Sequence, residues 1–230
     1  TLFAAQARVL ADSTDKLINE INETHMRLAM EFREVILSAE IEVIAISPYY
    51  VPGDSGVQLI RDLVDKGVRV LILTNSLATN NHVPVHSGYA RYRKDVINAG
   101  AELYEARANA AYETTDDKDS PDKLTLHSKV YIIDRRKMFV GSLNLEPRSY
   151  AFNAEMGLLI DSEEMIGSLT KDTDENLATL TYRVRVNGKG NLEWHCRIDN
   201  QEVIETKEPL TSWWLRFKAW FSKIAPESQL

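Results

Sequence analysis

Three short apolar runs, each preceded by a stretch of helical periodicity, constrain this chain more than any other feature. Ile41-Glu42-Val43-Ile44-Ala45-Ile46, Val68-Arg69-Val70-Leu71-Ile72-Leu73 and Ala101-Glu102-Leu103-Tyr104-Glu105 read as strands, the first closed by Pro48. Helices are expected between them at about Ser55–Lys66 and Ser87–Asn98, ending at Gly67 and Gly100. A glycine just past the last periodic residue suits the left-handed turn that closes a helix. Strands alternating with helices at this spacing form parallel βαβ units with right-handed crossovers. A preceding helix, about Thr24–Ala39, turns Met26, Ala29, Met30, Val35 and Ile36 towards the same core.

Downstream the pattern changes. Residues 106–123 carry the polar insertion Thr114-Thr115-Asp116-Asp117-Lys118-Asp119-Ser120-Pro121. Strands follow at Leu126–Ile133, Met138–Val140 and Glu155–Ile160, with a hairpin turn at Asp134-Arg135-Arg136-Lys137. A helix near Glu163–Leu169, β segments at Thr181–Val186 and Leu192–Ile198, and a last helix at about Ser212–Ile224 complete the chain. The fold class is α/β: a mixed, mostly parallel sheet flanked by helices in an α/β/α sandwich. Residues 1–23 read as a linker or N-terminal extension and 24–180 as the main half-domain. Residues 181–230 read as a C-terminal extension ending in an amphipathic aromatic helix.

The chemistry concentrates in HSKVYIIDRRKMFVGSLN, residues 127–144. Strand alternation puts His127 and Lys129 on one face, where both can meet one anion. Gly141 allows a close backbone approach, and Ser142 and Asn144 offer short donors beside it. A phosphoryl centre needs in-line attack or leaving-group protonation, with donors on its non-bridging oxygens. Taken singly, a strand His and Lys are usually a surface face and GSxN is usually a turn; taken together they point to a phosphodiester.

The H-x-K-x4-D-x6-G-S-x-N string resembles the catalytic motif of the phospholipase D superfamily. The similarity continues in Pro147-Arg148-Ser149 and Asn153-Ala154-Glu155-Met156-Gly157. It reaches back to Ser47-Pro48-Tyr49-Tyr50-Val51-Pro52, Thr74-Asn75-Ser76-Leu77 and His86-Ser87-Gly88-Tyr89-Ala90-Arg91-Tyr92-Arg93. Those upstream strings resemble bacterial cardiolipin synthase-type members, particularly the C-type branch, and the likeness spans about residues 24–225. It implies two copies of the motif facing each other across one pocket. One histidine attacks phosphorus to give a phosphohistidine. The other protonates the departing alcohol and then deprotonates the incoming one. No metal or cofactor is implied.

The match is to the C-terminal copy, which makes His127 the acid–base member, with Lys129 and Asn144 on the phosphate oxygens. Ser142 adds a hydrogen bond, and Glu155 is implied to orient an imidazole. Asp134 belongs to the motif, although its place beyond the strand favours structural support over chemistry. His86, Tyr89 and Gly141 are the candidate substrate contacts. For His86 and Tyr89, lining the pocket mouth and starting a helix packed on the sheet stand level. His25, His82, His86 and His195 all lack a Lys two positions on, so the motif occurs once. Either an upstream N-terminal half supplies the second copy, or a second chain does. The synthase-like strings and the start at Thr1 favour a piece of a longer protein, which alone should be catalytically silent.

A net charge of −7 gives no general attraction to polyanions, so nucleic acid is disfavoured as a partner and phospholipid is the expected substrate. The single cysteine, Cys196, excludes an intrachain disulfide framework and a cysteine-rich zinc site. No apolar run reaches the roughly 18–20 residues that span a bilayer, and no signal peptide is visible. In the last helix Leu210, Trp213, Trp214, Phe217, Trp220, Phe221 and Ile224 keep helical spacing, while Arg216, Lys218 and Lys223 fall largely on other faces. Such a helix lies on a bilayer or docks on the core. The expectation is a peripheral phosphatidyltransferase at the cytoplasmic face of a bacterial inner membrane, making cardiolipin. The alternatives are a phosphodiesterase or nuclease completed by homodimerisation, and a non-enzymatic lipid-binding module.

Overall fold

The computed structural model describes residues 2–17, 27–110 and 125–222. His25, the helix start at 24–26, the polar insertion at 114–121 and the helix end at 223–224 lie outside those residues. The first half runs β1 (Gln6–Ala11), a 3₁₀ turn (Thr14–Leu17), α1 (Arg27–Leu37), β2 (Glu42–Ile46), α2 (Gly53–Asp65), β3 (Arg69–Asn75), α3 (Val83–Asn98) and β4 (Glu102–Ala106). The second half runs β5 (Val130–Ile133), β6 (Lys137–Gly141), α4 (Pro147–Ala151), β7 (Met156–Asp161), α5 (Glu163–Thr170), α6 (Thr173–Leu180), β8 (Thr181–Val186), β9 (Leu192–Ile198), β10 (Gln201–Glu205) and α7 (Trp213–Ser222).

All ten strands join one sheet in the order β1-β7-β6-β5-β2-β3-β4-β8-β9-β10. A mixed sheet between helical layers is what the pattern implied, but its expected mostly parallel character is not observed. Only β2–β3 and β3–β4 are parallel, and the other seven pairings are antiparallel. Parallel neighbours need a helical crossover between them, and here only the βαβαβ unit has such crossovers. Gly67 (φ +85°) and Gly100 (φ +98°) close α2 and α3 in the left-handed region, as their positions required. α3 starts a turn earlier than its apolar spacing suggested, because Pro84 fits a first helical turn.

Two strands, β1 and β10, escaped the sequence pattern. β1 pairs with β7 along its whole length, yet nearly all its side chains are exposed. It therefore has no apolar alternation, and the backbone ladder places it with help only from buried Leu10 and the Arg8–Glu31 pair, so residues 6–11 are an edge strand rather than linker. β8 pairs with β4, and β9 and β10 follow, so residues 181–205 continue the main sheet.

Strand alternation gives the sheet two apolar faces. On one, Leu28, Phe32 and Ile36 of α1, Val57, Ile60 and Leu63 of α2, and Val96 of α3 pack on Val43, Ala45, Val70, Ile72, Tyr131 and Phe139. On the other, Ile166 and Leu177 from α5 and α6 cover Ile44, Leu71, Tyr104 and Ile132.

A buried ion cluster pins the far side of α3. Arg93 donates to Glu105 at 2.8 Å, to Glu208 at 2.5 and 3.2 Å, and lies 3.1 Å from His86 Nε2. Glu105 also accepts from the Tyr89 hydroxyl at 2.7 Å and from the Trp194 indole at 2.9 Å. Glu208 is held far below the usual carboxylate range, because Arg93 and His86 outweigh the penalty of burial. Removing the one guanidinium would strand two buried carboxylates. Arg93→Met should therefore cost about 3–5 kcal/mol in urea unfolding. A loss under about 1 kcal/mol would show that the cluster relaxes to solvent.

Candidate active site

β5 runs antiparallel to β2, with Val130 opposite Ile46, the last residue of that strand. His127 therefore stands beyond the carboxyl ends of the parallel strands, where crevices of open α/β sheets form. The strand expected from Leu126 begins only at Val130, since β2 ends before Pro48 and offers no further ladder. A side chain takes over. Asn75, the last residue of β3, accepts the Leu126 N–H at 3.0 Å and donates to its carbonyl at 3.0 Å. The extended lead-in thus carries an exposed His127 and a half-buried Lys129.

The GSLN turn is clamped from three sides. Tyr131 Oη donates to the Leu143 carbonyl at 2.7 Å. Ser47 Oγ accepts the Leu145 N–H at 3.2 Å, and the Val51 N–H donates to the Leu145 carbonyl at 2.7 Å. Ser142 Oγ donates to Glu155 Oε2 and accepts the Met156 N–H at 3.1 Å. The other Glu155 oxygen accepts from Asn153 Nδ2 at 3.2 Å. Its backbone is fixed by Asp12, whose carboxylate accepts the Glu155 N–H at 3.2 Å and pairs with Lys16 at 2.6 Å. Glu155 thus engages Ser142 and Asn153, and the His127 ring takes no hydrogen bond from any described residue.

Lys129 Nζ donates to the His127 carbonyl at 2.9 Å. Burial lowers its pKa, against the opposing pull of Glu155 and Glu146. Asn144 is buried, donates to Glu146 Oε1 at 3.4 Å, and leaves its Oδ1 without a partner among the described residues. Lys129, Asn144, Glu146, Ser142 and Glu155 thus form one cluster beside His127. Glu146, only 4% exposed, has its carboxyl pushed up to about 6. Burial is the main cause and Glu155 adds to it, while Arg148, Asn144 and Lys129 pull the other way.

Four of the candidate residues hold the structure together. Asp134 lies past the other end of β5, roughly 20 Å along the strand direction from His127. Its carboxylate accepts the N–H groups of Glu40, Ile41 (2.8 Å) and Glu42 (2.9 Å), so it ties the hairpin to the start of β2 instead of joining the chemistry. Gly141 does not offer a close approach to substrate. Its N–H is spent on the Lys129 carbonyl at 3.2 Å, and a Cβ there would collide with the backbone of Met156 and Gly157. His86 and Tyr89, 1% and 2% exposed, belong to the Arg93 cluster and line no open mouth. Of the residues the sequence did not single out, Glu146, Asp12 and Lys16 are isolated polar positions with no periodic signal. Asn75 sat inside a family-like string without an assigned role. Behind the GSLN turn an apolar groove of about 390 Å³ opens between α1 and α2, walled at one end by Tyr131, Leu145 and Tyr150.

Comparison with known proteins follows this geometry. The family profile described as cardiolipin synthase, PLD-like domain, matches residues 32–177. Cardiolipin synthase C of Escherichia coli K12 is 34% identical over 228 residues, 98% of this chain and 48% of that protein. The chain spans about half the length of the curated relatives it matches. Nuc, a phospholipase D family member from Salmonella typhimurium, superposes with a TM-score of 0.55 at 15% identity, over 78% of this chain and 99% of its own. The phosphatidylserine synthase of Haemophilus influenzae Rd KW20 gives 0.52 at 15% identity, over 77% and 39%. At that identity the two structures speak to the fold.

A carboxyl whose folded pKa is raised stabilises fully below its unfolded value, near 4.5, and that contribution disappears as pH rises through about 6. Glu146→Gln should therefore gain stability relative to wild type between pH 4.5 and 7, by at most about 2 kcal/mol. Urea midpoints across that window read it, and a pH-independent difference would place the Glu146 carboxylate in water.

Proposed function

We propose, starting from the fact that the chain belongs to the phospholipase D-like family of the cardiolipin synthase type, that it supplies one half of a phosphatidyltransferase active site. The observation that carries this reading is a phosphate-handling cluster built around a single imidazole. One histidine cannot both attack phosphorus and protonate the leaving alcohol. In the proposed cycle, the histidine of a second motif attacks the phosphodiester, and the bond to the first alcohol breaks as His127 gives that alkoxide its proton. The phosphatidyl group is then held as a phosphohistidine. His127 next removes the proton of the incoming alcohol, whose oxygen displaces the histidine and completes the transfer.

Lys129 and the Asn144 amide supply positive charge and a donor for the non-bridging oxygens, in a half-buried site where such interactions count for more than in water. Ser142 and Glu155 act by position, fixing the turn that carries Asn144. The apolar groove behind that turn suits a substrate with hydrocarbon chains, and the −7 charge disfavours nucleic acid. Phosphatidylglycerol as donor and acceptor, giving cardiolipin at the cytoplasmic face of a bacterial inner membrane, is the proposed reaction and setting. No helix among the described residues is long and apolar enough to cross a membrane. The second motif comes from an N-terminal half of the natural protein, in keeping with relatives about twice as long.

One observation favours a different completion. Nuc is covered over 99% of its length, so a unit of this fold and size also exists as a separate chain. In this second reading two copies of the chain face each other and hydrolyse a phosphodiester.

The decisive measurement is cardiolipin formation from phosphatidylglycerol in membranes carrying the full-length protein. His127→Ala should lower it by about 10²–10⁴-fold, the range of a lost general acid–base. Equal cardiolipin levels with wild type, His127→Ala and no protein would sink the synthase reading. Turnover of a chromogenic phosphodiester by a sedimenting dimer of this chain alone would establish the second reading.

A further inference from the structure

Helix α7 is docked on the protein with its small side exposed to the core and its aromatic side turned away. Among its residues only Ala219 is buried, at 7% exposure, and the Ala219 carbonyl accepts a hydrogen bond from Ser87 Oγ of α3 at 2.8 Å. The segment leading into it is anchored by Glu208 on Arg93 and by the Thr211 hydroxyl on the Glu208 carbonyl at 2.6 Å. The Glu208–Arg93 pair and the Ser87–Ala219 bond hold the helix without using its aromatic side chains. Trp213 (68% exposed), Trp214, Phe217, Trp220 (62%) and Phe221 all face outward.

At about 100° per residue these five rings fall within an arc of about 120°, and Ala219 lies nearly opposite its centre. Arg216 and Lys218 fall roughly 40° beyond the two edges of the arc, so a cation borders it on each side. The rings stack into one surface, with Trp213–Phe217 at 5.6 Å, Trp214–Phe217 at 5.5 Å and Phe217–Trp220 at 6.0 Å between centroids. Residues 209–222 contain two basic side chains and no carboxylate, in a chain of net charge −7. A protein that is acidic elsewhere thus concentrates tryptophan and positive charge on one short helix.

We infer that this face of α7 seats the protein on the interface of an anionic bilayer. Tryptophan rings settle at the headgroup level, where the ring is sheltered and the indole N–H stays wet, and flanking cations meet lipid phosphates. A second copy of the chain fits less well, because symmetric pairing of the two faces would bring like charges together. The location adds a consequence. Ser87 lies in the N-terminal part of α3, which follows the carboxyl end of β3, the strand whose Asn75 holds the lead-in to His127. The Ala219 turn of the helix therefore sits at the same end of the sheet as the lead-in to His127. This inference stands apart from the transfer reaction and holds whether or not transfer is detected.

Intrinsic fluorescence tests it directly, since three of the four tryptophans lie on α7 and the fourth, Trp194, is buried on Glu105. The full chain is mixed with vesicles of phosphatidylglycerol and phosphatidylcholine, or of phosphatidylcholine alone, with acyl-brominated lipid as quencher. Expected are a blue shift, quenching, and several-fold weaker binding to phosphatidylcholine alone or in about 0.5 M salt. The variant W213S/W214S/W220S should bind at least 10-fold more weakly by co-sedimentation while keeping the wild-type unfolding midpoint. The variant R216Q/K218Q should keep partitioning but lose the preference for anionic lipid. Unquenched tryptophans, or wild-type binding by the triple variant, would overturn the inference. So would a dimer that dissociates on the same substitutions without vesicle binding, which would assign the face to a second copy.

Discussion

Buried backbone groups must find partners, and around the site they find them in side chains because the sheet ladder has run out. Asn75 bonds both backbone groups of Leu126, as a neighbouring strand would. Ser47 takes the Leu145 N–H, Asp134 takes N–H groups at 40–42, and Asp12 takes those of Leu28 and Glu155. Most of these bonds tie a motif segment to a different strand or helix. The Asn75 and Ser47 contacts, at the carboxyl ends of β3 and β2, hold the lead-in to His127 and the turn that carries Asn144. A substitution that looks conservative in polarity, such as Asn for Asp at position 12, would still disturb it by removing a charge that pairs with Lys16.

The buried carboxylates divide into two kinds by their partners. Glu105 and Glu208 meet a guanidinium at short range, so they serve as rivets between α3, the sheet and the segment before α7. Glu146 forms no ion pair among the described residues. It shares Lys129 with Glu155, and burial pushes its carboxyl up. The cluster beside His127 is thus electrostatically unfinished in a way the Arg93 cluster is not. One lysine and one amide face two carboxylates there, whereas in the Arg93 cluster a guanidinium bonds both carboxylates directly.

The legible parts of the sequence were those with a period or a dense motif. The βαβαβ unit was readable because Val43, Ala45, Val70 and Ile72 alternate on one face and Ile44 and Leu71 on the other, with Gly67 and Gly100 closing the helices. The grouping of Lys129, Ser142, Asn144 and Glu155 near His127 followed from a dense motif, in which several chemistry-bearing types fall within one strand, one turn and the strand that pairs with it. β1 was not, as an exposed edge strand is held by backbone bonds that any residues can make. Glu146 was passed over for a related reason. One glutamate after the GSLN turn carries no pattern, and its meaning depends on burial beside Lys129 and Asn144.

Local sequence determined which segments become strands and helices and which chemistry the chain carries, because side-chain period and side-chain type are properties of neighbours along the chain. It could not determine which of those residues meet. For His86 and Tyr89 the sequence left pocket and packing level, and packing sent both into the Arg93 cluster; Asp134, favoured for support by its place beyond the strand, ties the far end of β5. The aromatic helix is the same case reversed. Its spacing allowed docking on the core or on another surface. Only the contact of Ala219 with Ser87 shows which side faces inward. Burial and pairing are set by segments distant in sequence, and those distances close only when the sheet forms.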